Sequence, residues 1–404
     1  MRFAKIGLSG LLGLSLLGCQ MQQTGPEECQ AVVYQPGGVT GSLSPDANFR
    51  RVDADSISGV EPSRIQVAED SNNPFKAGQI VVSNCNDGMV RQVTGVQAAT
   101  PAGGVSPQGI RTVWLNTESV ALEDAIDSGD ASINFGQLEI QSLEQAMPGV
   151  ELQQVTGKIT IKNLTFSPVQ GVTVVLNGSV EQTLNPRFRL AFNNGSVDVF
   201  EAGLGGQFKS EIKAKITVTK AIPSWGKEQP IAQAAPIRRA FLVGSVPVVV
   251  VVTPKLVIGA SGGADNNITV EAGIAPTLSF DAGVKYDRDG AQKWIPIWTA
   301  PTFALNPTFS YTVPAKANGK VYAKMVMDVK FYGLAGPTLE AGPQMNLTLN
   351  PTGSSPLAKL AAGAGASASV SAGFNVLGKG LSVGTAPLTR EATTELSCTA
   401  SSCN

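Results

Sequence analysis

Phe208-Lys209-Ser210-Glu211-Ile212-Lys213-Ala214-Lys215-Ile216-Thr217-Val218-Thr219 decides the fold. Phe208, Ser210, Ile212, Ala214, Ile216 and Val218 alternate with charged or hydroxylated residues. A strand sends successive side chains to opposite faces, so a period of two buries one face and wets the other. The stretch 321–331 repeats the pattern, with Val321, Ala323, Met325, Met327, Val329 and Phe331 set against Tyr322, Lys324, Asp328 and Lys330. Both runs exceed the usual strand of about five or six residues. Asn193-Asn194-Gly195, Asp287-Arg288-Asp289-Gly290 and Asn318-Gly319 supply hairpin turns. The expectation is an all-β chain whose main antiparallel domain, 132–350, is a long hairpin-rich sheet or sandwich.

Val248-Val249-Val250-Val251-Val252 breaks the alternation. An unbroken apolar run in a β pattern means a strand covered on both faces. A strand in a lipid-facing barrel is the other reading, against which the export signal and paired cysteines described below both argue. Pro230, Pro236, Pro247 and Pro254 bracket the region and limit where strands begin and end.

Upstream, a small β unit is expected over 56–117. Gly78 to Ser83 reads as a strand, Asn86-Asp87-Gly88 as a turn and Met89 to Val96 as the return strand. Arg111 to Leu115 follows a Pro- and Gly-rich loop, 98–109. Thr117 to Ile126 is the best helix candidate, with Thr117 as cap and Val120, Ala121 and Ile126 on a packed side. Ser128-Gly129 ends it, which makes 118–131 a connector. Residues 19–55 form a tether and entry arm broken by Gly25-Pro26, Pro36-Gly37-Gly38 and Ser44-Pro45, with Ala31-Val32-Val33-Tyr34 as a short edge strand. The tail, 351–404, carries a small-residue stretch from Ala361 to Phe374. Val370, Phe374, Val376 and Leu377 favour an ordered strand there over a flexible linker.

The first 18 residues carry an export signal: Arg2 and Lys5, then apolar 6–17, then small Gly18. The apolar run is shorter than the ~20 residues a spanning helix needs. Leu16-Leu17-Gly18-Cys19 resembles the bacterial lipobox. The resemblance implies that the Cys19 thiol receives a diacylglycerol and that 1–18 is removed as a signal peptide. An ordinary signal peptide cleaved near a chance cysteine is the alternative, and the register of all four parts weighs against it. Stable anchoring takes at least two acyl chains, which a lipobox cysteine carries. Gln20 stands where an Asp would favour inner-membrane retention, so an outer-membrane address is expected in a two-membrane host.

A second resemblance spans about Phe75 to Leu349. Phe75-Lys76-Ala77-Gly78-Gln79-Ile80-Val81-Val82, Met89 to Val96, and Leu115-Asn116-Thr117 with Ala121 to Ala125 are phrases similar to those of a poorly characterised group of bacterial secreted β-rich proteins. Val246 to Val249, Ala282 to Asp287 and Tyr332 to Pro337 are similar in the same way. Gln79 and Met89 depart from the pattern, where Asp and Leu are usual. The resemblance implies an extracellular β architecture and carries no activity or site residues.

Composition narrows the function. The chain has 404 residues and a formal charge of −1, or −3 without Arg2 and Lys5. Neither a nucleic-acid footprint nor a polybasic membrane patch is written in it. Charged residues make up 15%, below the usual quarter. The chain contains no histidine, which removes Ser-His-Asp and Cys-His nucleophile systems and His-ligated metals. With Cys19 acylated, Cys29, Cys85, Cys398 and Cys403 remain. An even number in an oxidising compartment points to two disulfides of open connectivity. Cys29–Cys85 and Cys398–Cys403 are favoured over structural zinc, which needs tight pairs from two places.

Other constellations read as structure. Asp287-x-Asp289-Gly290 lacks the Glu of a calcium loop and is expected to be a hairpin turn, and Asp265-Asn266-Asn267 is read likewise. Glu123, Asp124, Asp127 and Asp130 read as a solvated acidic face rather than a carboxylate pair for glycoside hydrolysis. Ser210-x-x-Lys213 matches a penicillin-recognising motif that works on a helix; on a strand the two residues face apart. The Gly203-Leu204-Gly205-Gly206 run is read as a β turn, not a nucleotide loop.

No enzyme, cofactor, metal or nucleic-acid partner is expected. The expected function is a lipid-anchored structural or interaction protein of the cell surface, held by Cys19 and meeting envelope proteins. The alternative is a binding protein that shields an apolar ligand such as a lipid, lined by the valine run, Met325, Met327, Trp294 and Trp298.

Overall fold

The computed structural model describes residues 26–99, 110–153, 157–275, 277–304, 308–311, 315–334, 336–350, 358–370 and 388–398. Its regular structure is strand, apart from two 3-10 turns at Ala54–Ser56 and Leu122–Ala125. The fold is all-β, and among the named strands only Phe49–Arg51 and Ile80–Ser83 pair parallel.

The alternating stretch that defined the fold lies in the hairpin Val172–Asn193/Ser196–Val218. Asn194 and Gly195 close it at φ +50° and +67°, the left-handed pair that matches the twist of hairpin strands. At about 3.4 Å per residue, 22 residues run for roughly 70 Å. No single neighbour is that long, so each arm of the hairpin is flanked by two shorter strands in series. Lys158–Phe166 and Ile126–Asn134 share one outer edge. Thr277–Asp287 and Ile268–Ile274 share the other. The result is a ten-stranded sheet.

An eight-stranded sheet forms around Val246–Ala264 and Ala317–Phe331. Ile237–Val243 and Ile222–Ala234 divide the far edge of the first. Pro337–Leu349, Ala358–Val370 and Leu388–Cys398 extend the sheet beyond the second. The small-residue tail is therefore a paired strand from Ala358 to Val370; Phe374, Val376 and Leu377 lie outside the described residues.

The two large sheets face each other. Phe331 of the eight-stranded sheet meets Phe188 and Phe200 of the ten-stranded sheet edge-on, with ring centroids 5.3 and 5.9 Å apart. Towards the other end, a side chain added at Gly319 would stand 3.9 Å from the Ile216 methyl. Strands of both sheets thus run along one axis, as in an aligned sandwich. A single hydrophobic cluster fills the space between them, with members from Val32 to Leu360 in the chain. Met325, Met327, Val248 and Val250 sit in it at 1% exposure or less, and half-buried Trp294 and Trp298 pack on it. The residues expected to line a ligand cavity belong to this packed core.

The third sheet has six strands in the order Phe49–Arg51, Ile80–Ser83, Met89–Ala98, Ile110–Ser119, Arg64–Asp70, Ile57–Glu61. Val81, Met89 and Val93 face its own small core with Val52, Ile65 and Leu115. Ile80, Val82 and Val90 face the other way and join the core of the sandwich. This unit is packed into the body.

Two expectations need correcting. The helix at 117–126 contracts to the single 3-10 turn Leu122–Ala125. Thr117 caps nothing, because it still belongs to the strand Ile110–Ser119, opposite Val93; the Asp124 carboxylate accepts from the Ala121 amide instead. Ile126 already starts the strand that pairs with Val39–Pro45. That pairing also revises the entry arm, which contributes an edge strand, Val39–Pro45, to the ten-stranded sheet.

Candidate functional site

Three parts of the chain converge beside the Cys29–Cys85 disulfide, whose Cα atoms are 5.3 Å apart. The arm enters along the small unit. Glu27 bridges Val60, and Ala31 bridges Cys85. The Asn84 side chain donates to the Val32 carbonyl at 2.8 Å and accepts from the Ala54 amide at 3.0 Å. Asn84 is 5% exposed, and these bonds satisfy an amide that would be costly to bury alone. The arm then crosses to the sandwich, where Tyr34 bridges Ala240 in parallel register. The expected 31–34 edge strand is thus present as isolated bridges to two different sheets.

The Asn86-Asp87-Gly88 turn docks the small unit on the body. Asn86 adopts φ +55°, and its side chain accepts from the Gln30 amide at 2.8 Å. Asp87 Oδ1 meets Arg238 Nε at 2.5 Å. Gly88, at φ +86°, rests so close to Val249 and Tyr332 that a β-carbon there would stand 2.6 and 2.8 Å from them. Gly333 is fitted against Asp87 in the same way, at 2.6 Å.

This contact explains the valine run. The sandwich core covers Val248, Val250 and Val252, and the docked turn covers Val249 on the opposite face. All five valines are between 0 and 4% exposed. At Val249 the outer face of the strand meets protein, which answers the lipid-facing barrel reading there.

Burial tunes two phenols at the junction. The Tyr34 hydroxyl is pushed up to about 12 by burial, with Arg51 opposing and Asp53 adding. Tyr34 donates to Asp53 at 3.1 Å, and Arg51 pairs with Asp53 at 2.7 Å. Tyr332 is fully enclosed, donates to the Pro247 carbonyl, and is held well above its ordinary value by burial.

An open cleft of ≈ 670 Å³ runs along this seam. Glu27, Glu28, Asp87 and Arg238 supply its charge, Gln30 and Asn86 its amides, and Val33, 74% exposed, an apolar patch. With Asp87 balanced by Arg238, the two glutamates leave the cleft acidic. The arrangement suits recognition of a partner carrying a basic and an apolar group.

No family model, curated protein or solved structure matches the chain.

The residues singled out in the sequence fall as follows. Cys29 and Cys85 form their disulfide. Cys19 and Cys403 lie outside the described residues, and Cys398 ends a strand opposite Ala358. Asp287 and Asp289 form the expected hairpin turn, with the Asp289 amide donating to the Asp287 carboxylate at 3.2 Å. The acidic group divides: Asp124 holds the 3-10 turn, whereas Asp130 binds Arg189. Ser210 faces the core at 4% exposure, while Lys213 pairs with Glu211 at 3.1 Å on the wet face. The Gly203 to Gly206 run continues the long strand Ser196–Val218 instead of turning. Its glycines accommodate cross-strand neighbours: a β-carbon on Gly203 would stand 2.7 Å from the Arg187 guanidinium. Sequence reasoning missed Arg238 and Tyr332 as junction residues. The turn at 86–88 was the available signal, but nothing local named its partner.

Proposed function

We propose that this is a lipid-anchored protein of the bacterial envelope, tethered through acylated Cys19, that works as a structural or interaction component of the cell surface. The observation that carries the reading is the Cys29–Cys85 disulfide. A disulfide persists in an oxidising, extracytoplasmic compartment. It also rivets the arm to the folded body ten residues after the proposed anchor. A short tether holds the acidic junction cleft close to the membrane, within reach of other envelope proteins. The outer membrane is the proposed address in a two-membrane host.

Fractionation of the host tests the proposal. Wild-type protein should partition with membranes, and Cys19→Ser should move to the soluble extracytoplasmic fraction. Unchanged partitioning of the variant would refute the anchor.

The second reading, an apolar-ligand binder, draws on one observation. Ser210 and Gln182 lie on paired strands, share the parity of core residues, and have buried polar atoms without a partner among the described residues, which would hydrogen-bond the polar head of an otherwise apolar ligand such as a lipid. Native mass spectrometry of protein from its own host separates the readings: a reproducible co-purifying lipid favours the binder, and its repeated absence removes that reading.

A further inference from the structure

A second recess lies on the outer face of the ten-stranded sheet and shares no lining residue with the junction cleft. Its volume is ≈ 370 Å³. Phe188 and Leu190 face the core, so strand alternation turns Arg187 and Arg189 outward. Cross-strand register then sets two rows. Arg187, Gly203, Gly283 and Ile297 stand opposite one another in sequence, and Arg189, Glu201, Lys285 and Ile295 form the next row.

Glycine at 203 is what opens the trough. Its missing side chain leaves room for the Arg187 guanidinium to lie across the sheet. Asp281 pins that guanidinium at 2.6 Å. Asp130 accepts two hydrogen bonds from Arg189, at 3.0 and 2.7 Å, and Glu201 lies 3.5 Å from the same side chain. The Arg189 hydrogen bonds hold the Asp130 carboxyl below its ordinary value. Thr40, Ser132 and Asn134 line one side, and half-buried Ile297 lines the other.

Three properties follow. Each charge in the trough is answered by its neighbour, so an ionic ligand meets no surplus. The donors and acceptors are fixed before any ligand arrives, which lowers the entropy cost of binding. The floor joins a flat guanidinium to an apolar side chain. A sugar ring fits this combination: its hydroxyls give and take hydrogen bonds with Glu201, Asn134 and Arg187, and its C–H face lies on Ile297. Hydrogen bonds between charged and neutral groups are the stronger kind. The volume lies near the lower end of small-ligand sites, about 300–1,000 Å³, which suits a short glycan segment.

We infer that this trough is a binding site for a neutral glycan segment. The inference deepens the interaction reading by naming a ligand class, and it does not depend on the anchor. Fractionation tests the anchor and titration tests the trough, so either fails without the other.

The test is calorimetric titration of the full-length purified protein. The probes are neutral trisaccharides of glucose, mannose, galactose and N-acetylglucosamine, with trigalacturonate as the anionic control. At least one neutral probe should bind saturably and insensitively to salt. Arg187→Ala and Glu201→Gln should each weaken it about tenfold or more, while Lys213→Ala leaves it unchanged. Circular dichroism checks the fold, and Glu201→Gln carries the test if Arg187→Ala does not fold. Binding by no neutral probe, preference for trigalacturonate, or unchanged affinity in a folded trough variant would each overturn the assignment.

Discussion

Arg238 Nε lies 2.5 Å from Asp87 Oδ1 and so joins an edge strand of the sandwich to the turn of the small unit, across 151 residues of chain. The side chains are 44% and 43% exposed. An ion pair so wet contributes about 0.2–1 kcal/mol. A double-mutant cycle of Asp87→Asn and Arg238→Gln, followed by urea denaturation, should give a coupling energy in that range that shrinks with added salt.

Gly88 is the stricter element of the same contact. Gly88→Val needs a β-branched residue at positive φ and drives its side chain into Val249 and Tyr332. Overpacking costs about 1–3 kcal/mol and left-handed backbone about 1–2 kcal/mol more. Chemical denaturation should show a loss of roughly 2–5 kcal/mol, well above that of Asp87→Asn. Equal losses would place the docking energy in the ion pair.

The Cys29–Cys85 disulfide closes a loop with sequence separation 56. The chain-entropy relation gives about 4 kcal/mol for such a loop. Cys29→Ser/Cys85→Ser should lose close to that amount. The loss should come with faster hydrogen exchange at the Val32 amide, which bonds the Asn84 carbonyl, and at the Gln35 amide, which bonds Ala240.

Phe331 is fully buried and touches Phe188 and Phe200 on the facing sheet. Phe331→Ala should cost about 3–5 kcal/mol. Phe331→Leu, which keeps most of the volume, should cost much less. A scan of thermal or urea unfolding distinguishes them.

The junction should loosen in alkali. Tyr34 titrates at about 12 in the folded protein against an ordinary 10.0, and Tyr332 is raised as well. A phenol whose folded value is raised stabilises the fold fully below its unfolded value, and that contribution is lost as pH climbs through the folded value. Stability from Tyr34 should therefore hold up to about pH 10 and fall between about 10 and 12. Tyrosinate absorbance should rise late for these phenols, and Tyr34→Phe should remove one late step.

Hairpins with local causes are readable, although the expected Asn318-Gly319 turn lies inside the strand Ala317–Phe331, with Gly319 opposite Gly262 and Leu347. Alternation from Phe208 to Val218 and the Asn194-Gly195 turn are properties of neighbouring residues, and the structure places both where expected. The connector helix was misjudged for the opposite reason. Val120, Ala121 and Ile126 are separated by one, five and six residues, a weak match to a helical face, and Ile126 is claimed by Pro45, a partner 81 residues upstream. Long-range pairing overrides a weak local preference. The trough was equally hidden: Arg187 and Asp281 meet only because two hairpins bring their strands together through Gly203.

By itself the sequence determined the class of fold, the buried faces of 208–218 and 321–331 and the need for two-sided cover over Val248 to Val252. Period, turn chemistry and apolar runs act over a few residues, so one chain suffices to read them. The tertiary structure decided what supplies the cover. Val249 is shielded by a glycine turn from a different sheet, and the cleft and the trough arise at seams between distant segments. Those seams depend on register and docking between residues far apart in the chain, which no local pattern encodes.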